Sequence, residues 1–205
     1  MNSNLNSKPF GVFLLSIGIL AVLAFIFLLI FFVGYFNDIP SFIFFGPLND
    51  IFGSLVAILS AVLATTLICS QPKRWAWLHL IGAILSWIGA FIVTLDSLMA
   101  GGIISTASAA ILRIKYGFPP FLTTHDLHFG LGLIGVWLII LNFQAIQAKS
   151  WPTHLIGLGF TTGILMASGL IGFPPAALGS VFLYTIWCVW LGRHIPKANI
   201  KAGTN

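Results

Sequence analysis

Apolar residues occupy this chain in blocks long enough to define its class. Phe10 to Phe36 is an unbroken apolar run that ends at Asn37-Asp38-Ile39-Pro40. Five more blocks follow, parted by short polar, Gly- or Pro-bearing stretches such as Gln71-Pro72-Lys73-Arg74. A helix rises ~1.5 Å per residue and the hydrocarbon core of a bilayer is ~30 Å thick, so about 20 apolar residues cross it. The pattern predicts an all-α polytopic membrane protein, a single transmembrane domain over residues 1–205. Its six helices are expected at about 10–36, 51–70, 75–97, 125–148, 151–172 and 177–193. The first run is too long for a signal-peptide core and no small-residue cleavage pattern follows it, so it is expected to remain as helix 1.

Residues 98–124 do not fit the six-fold pattern. Leu98 to Leu112 is uncharged and rich in small residues but short for a crossing. It is expected to form an outer cap, an additional interfacial or re-entrant helix, with a full crossing as the alternative. Small residues recur on the predicted helices at Gly53, Ala57, Ala61 and Thr65, at Gly82, Ser86, Gly89 and Ala90, and at Gly159 and Gly163. Such stripes let membrane helices approach closely, whereas the Phe- and Ile-rich outer half of helix 1 suits a place at the rim. Asn49 is a natural N-cap for helix 2, with Asp50 in its first turn, and Gly192 a C-cap for helix 6.

Charge decides orientation and removes one class of partner. Only 6% of residues are charged and the mean hydropathy is +1.06, against about a quarter charged in soluble proteins. The net charge of +5 forms no basic stripe, so no nucleic-acid partner is expected. Lys8, Lys73, Arg74, Lys149, Arg193, Lys197 and Lys201 fall on one side of a six-crossing topology, and Arg113 and Lys115 on the other. Positive residues stay inside, so both termini are expected in the cytoplasm. A crossing by residues 98–112 would scatter these cations. Cys69 and Cys188 then lie towards the reducing side, where no disulfide is expected. The bilayer itself is the one partner implied, with a homo-oligomer or a larger membrane complex left open.

Candidate chemistry gathers in two places. At the outer face stand Asp96, His125, Asp126 and His128, with Asn49 and Asp50 nearby. His125 and His128 are i,i+3 neighbours, a spacing that can hold a metal with Asp96 as a third ligand, or relay a proton. Acids in helix first turns and interfacial histidines account for the same residues without function. Asp96 is the most informative, because an acid embedded in an apolar stretch marks a site by default. At the inner face, His79 and His154 each lie a few residues into a helix that begins with Trp. Equal depth could let them ligate one b-type haem, although an interfacial His beside Trp needs no cofactor. The cofactor is therefore open. Asn142 and Gln144 are expected to bond between helices. No phosphate loop, nucleophile elbow, HExxH or paired intramembrane carboxylates are found, and helices 2 to 6 lack the midplane charge that ion-coupled transport usually uses.

The Gly46-Pro47-Leu48-Asn49-Asp50 stretch and Trp187-Cys188-Val189-Trp190-Leu191-Gly192-Arg193 carry a resemblance. With them the chain resembles small six-helix integral membrane proteins of bacteria. The resemblance implies a bacterial inner membrane and brings no catalytic residues. Whether the chain is an enzyme is undecided at this level. The leading expectation is an accessory, scaffold or subunit protein. The alternatives are an outer-face enzyme or metal site acting on a lipid-like substrate, and haem electron transfer.

Overall fold

Breakers set the elements. A computed structural model describes residues 7–68, 76–100 and 127–202, and every element among them is helical. Helix α1 (Ser7–Phe36) stops where Asp38 adopts a left-handed backbone, φ 52°, a conformation short polar side chains tolerate. Pro40 opens the single turn α2 (Pro40–Ile43), and α3 (Phe45–Ile68) follows. Next come α4 (Ala76–Ala100), α5 (Leu127–Ala148) and α6 (Thr153–Ala167). Helix α6 tightens into a 3₁₀ turn, Ser168–Ile171, that Gly172 ends at φ 76°, and α7 is Pro174–Ala202. Among the described residues, five helical stretches are long and apolar enough to cross a membrane: Pro9–Phe36, Pro40–Leu67, Ala76–Ala100, Leu127–Ala148 and Thr153–Ile171.

Three local expectations are corrected. Asn49 is not an N-cap, because α3 already begins at Phe45 and places Pro47 in its first turn, where a missing N–H costs nothing. Gly192 does not end a helix, since α7 runs on to Ala202; it is a contact point, where an added Cβ would stand 3.1 Å from Leu14 Cβ and 3.2 Å from the Gly11 carbonyl of α1. Leu98 to Ala100, assigned to the outer cap, continue α4. The rest of that cap, with Gly117 to Pro120, lies outside the described residues.

The six long helices close into a ring. Helix α1 packs on α3 and α7, α4 on α3 and α5, and α6 on α5 and α7, so each helix touches its neighbours in sequence and α7 returns to α1. Neighbours are antiparallel: Gly89 meets Gly130 and Gly82 meets Trp137 along the α4–α5 seam. Neighbouring helices approach backbone to backbone at Gly89 against Gly130 and at Gly163 against the Gly135 carbonyl, the kind of contact that holds helices together where apolar burial alone offers little drive. Leu14, Ile17, Ala57, Ala61, Trp137 and Trp187 fill the interior. Outward, α4 presents Trp77, Leu80, Ile84, Trp87 and Phe91, all exposed and apolar.

Candidate functional site at the acidic end of the bundle

Helices α3 and α4 pack side by side. Ser54 on α3 and Ser97 on α4 meet across their seam, their Oγ atoms 2.7 Å apart. Both hydroxyls reach the Asp50 carbonyl, at 2.9 and 3.1 Å, and Ser97 Oγ also reaches Val93 O at 2.8 Å. Each hydroxyl has one proton to donate, so this small network can be filled in more than one way. It ties the start of α3 to the end of α4. Asn49 Nδ2 donates to Asp50 Oδ1 at 3.2 Å, and the Asp96 carboxylate stands close enough to Asp50 to repel it.

This polar cluster opens onto a narrow space along the bundle axis. A cavity of about 60 Å³ is lined by Asn49, Asp50 and Ser97 at one end and by Phe25, Leu28 and Leu127 among its apolar walls. A second, of about 40 Å³, lies deeper and shares Ala24, Gly53, Leu131 and Val181 with the first. Ser60 and Tyr184 line it, their hydroxyls 2.6 Å apart. At roughly 10–15 Å³ per water, each cavity has room for a few waters. Tyr184 in turn stacks on Trp187 with centroids 5.9 Å apart.

The residues singled out from the sequence divide among different interfaces. Asp96 is half-buried near the end of α4, one residue before the Ser97 that meets α3, and its charge acts on Asp50. His128 begins α5; its carbonyl packs against Gly169, on the face turned to α6, and its Nδ1 is buried without a partner. Helix α5 therefore stands between that face and the Asp96 seam. His125 and Asp126 lie outside the described residues. No group of three or more His, Cys, Asp or Glu positioned to hold a metal occurs among the described residues.

The other two candidate histidines also part. His79 is buried within α4 with both ring nitrogens unpartnered, whereas His154 is exposed at the start of α6, edge-on to Trp190 at 5.5 Å. Helix α5 lies between α4 and α6, which gives the haem reading no shared space. Asn142 and Gln144 do not bridge helices: Asn142 Nδ2 donates to Leu138 O of its own helix at 2.8 Å, and neither end of the Gln144 amide has a partner.

The sequence places Asp50 near Asp96, since the two acids are nearly equidistant from Gln71-Pro72. It missed the Ser60–Tyr184 bond, which joins helices far apart in sequence and had no local signal. No protein-family model, no curated protein and no solved structure matches the chain.

Proposed function

We propose that the chain is a six-crossing integral protein of a bacterial inner membrane, with cytoplasmic termini, that serves as an accessory or scaffold subunit, alone, as a homo-oligomer or within a larger complex. One observation carries this reading. The ring is closed by backbone-close contacts, and the two axial cavities lined by described residues measure about 60 and 40 Å³, whereas sites for small-molecule ligands take roughly 300–1,000 Å³. A rigid bundle with a continuous apolar flank on α4 suits a part that others pack against. The Gly159/Gly163 stripe is already used inside the chain, against Asn142, Ile139 and Gly135, so a partner has to meet an exposed apolar face; the α4 flank, with Trp77, Trp87 and Phe91, is the aromatic one, beside the aliphatic Ile19, Val22, Ile26 and Leu29 of α1.

A second reading is favoured by Asp50, which lines a cavity with room for water, and by Asp96 on the adjacent helix, whose charge acts on it; two such acids could hold a cation or share a proton. One experiment separates the two. Association is measured by cross-linking in native membranes for Trp87→Ala/Phe91→Ala and for Asp96→Asn, with metal content read by elemental mass spectrometry. The subunit reading expects the α4 variant to lose its cross-linked products and Asp96→Asn to keep them, with no metal in either. Stoichiometric metal lost in Asp96→Asn, with association unchanged by the α4 variant, transfers the function to the outer pair.

A further inference from the structure

We propose that the pocket between the first turn of α6 and residues 190–194 of α7 binds a phosphate group. The pocket holds about 200 Å³ and is lined by Pro152, His154, Leu155, Trp190, Arg193 and His194. Four of those six side chains carry N–H donors: the Arg193 guanidinium, whose planar fork matches phosphate oxygens two at a time, the imidazoles of His154 and His194, and the Trp190 indole. The edge-on contact with Trp190, at an interplanar angle of 89°, sets the His154 ring at the wall.

The backbone adds to this field. Helix α6 begins after Pro152, which has no N–H, and no side chain caps it. Leu155 and Ile156 N–H both turn back to the Pro152 carbonyl, at 3.0 and 3.1 Å. Those two N–H groups are therefore engaged within the turn, and what α6 contributes beside the pocket is the positive end of its dipole.

The whole-chain charge pattern makes the case independent of that helix end. The chain has four acidic side chains, Asp38, Asp50, Asp96 and Asp126, and no Glu. The three described ones, Asp38, Asp50 and Asp96, stand at the opposite end of the bundle, at the α1–α2 turn, near the start of α3 and near the end of α4. Arg193 lines the pocket, and Lys149 follows the last residue of α5 at the same end. No carboxylate side chain among the described residues lies at that end, so the counter-ion has to come from outside. Trp190, nearly half exposed, and Trp151 mark this level as a membrane interface. Basic pockets between membrane helices at the cytoplasmic interface take anionic headgroups. The phosphate can be carried by a lipid or be free in solution, and the chemistry of recognition is the same.

The test uses the full-length protein in a neutral detergent, with unfolding temperature read from tryptophan fluorescence. Phosphatidylglycerol, phosphatidylcholine and inorganic phosphate are titrated separately. The expected result is a saturable rise with phosphatidylglycerol, little with phosphatidylcholine, and half-saturation weakened about tenfold or more in Arg193→Gln and in His154→Gln. Arg193→Lys should recover part of the loss, and Lys149→Gln, a cation outside the pocket, should stay within about twofold of the parent. A variant-sensitive rise with inorganic phosphate that phosphatidylglycerol does not exceed assigns the site to free phosphate; a larger, tighter rise with the lipid assigns it to a headgroup. Shifts equal for both lipids with phosphate inert, or untouched by both Arg193→Gln and His154→Gln, overturn the proposal.

Discussion

Replacing Gly89 by Ala probes the packing on which the ring depends. An alanine Cβ at that position would stand 2.5 Å from the Gly130 carbonyl oxygen, 3.0 Å from Ile134 Cγ1 and 3.2 Å from Leu133 Cβ. Carbon–oxygen approaches between helices rest at about 3.3–3.6 Å, so the α4 and α5 backbones have to part by about 1 Å. Overpacking of this kind costs roughly 1–3 kcal/mol, and weakening the Cα–H···O bonds along the seam as it opens adds about 0.5–1 kcal/mol. Alanine's better helix propensity returns up to ~1 kcal/mol. The net expectation is a loss of ~1–3 kcal/mol. Gly157 supplies the control, because nothing lies within 4 Å of a Cβ there, so Gly157→Ala should be neutral or stabilising by up to ~1 kcal/mol. Gly130→Ala faces the Gly89 carbonyl at 2.8 Å. One separation of the helices accommodates both alanines, so the double variant should lose less than the sum of the singles. Reversible unfolding in mixed neutral-detergent and dodecyl sulfate micelles, followed by tryptophan fluorescence, measures all four proteins. The reasoning is refuted if Gly89→Ala is as stable as Gly157→Ala.

Two further expectations rest on buried polar groups. Tyr184→Phe removes the 2.6 Å bond to Ser60 in the deeper cavity, while Ser60 keeps its bond to Val56 O, also 2.6 Å; interhelical bonds in membranes are worth ~0.6 kcal/mol on average and up to ~1.7. A double-mutant cycle with Ser60→Ala should therefore give a coupling of about 0.5–1.5 kcal/mol, and a coupling near zero would break the assignment. Gly159→Ala would drive a methyl into the Asn142 amide. Its cost should be about 2 kcal/mol in the parent but fall by half or more in an Asn142→Ala background, measured in the same unfolding assay.

Much of the ring is legible in the pattern of residues, and particular residues show why. Asn37 to Pro40 and Gly172 to Pro175 interrupt helices because left-handed backbone and proline act locally, and both breaks stand where the sequence places them. Gly82 and Gly89 announce close packing because small residues four or seven apart share one helix face; the structure sets them against Trp137 and Gly130. Asn49 and Gly192 mislead for a common reason. Capping residues are statistical markers of helix ends, and in a membrane a helix can continue past them when a neighbouring backbone needs the space, as α7 does where Gly192 admits α1. The site is less legible. His128 and Asp96 are both near the outer end in sequence terms, yet the choice of face on α5 separates them.

What the sequence by itself determined is what depends on single helices: their apolar character, their approximate lengths, and the gathering of cations at one end and acids at the other. These follow from transfer free energies and charge, which act residue by residue. What only the tertiary structure decided is which faces meet: Ser60 with Tyr184, and His154 with Trp190 and Arg193 around one pocket. Those pairings depend on helix rotation and on the order of helices in the ring. Both are set by the fit of glycines against opposing backbones, a property of two surfaces that neither helix carries alone.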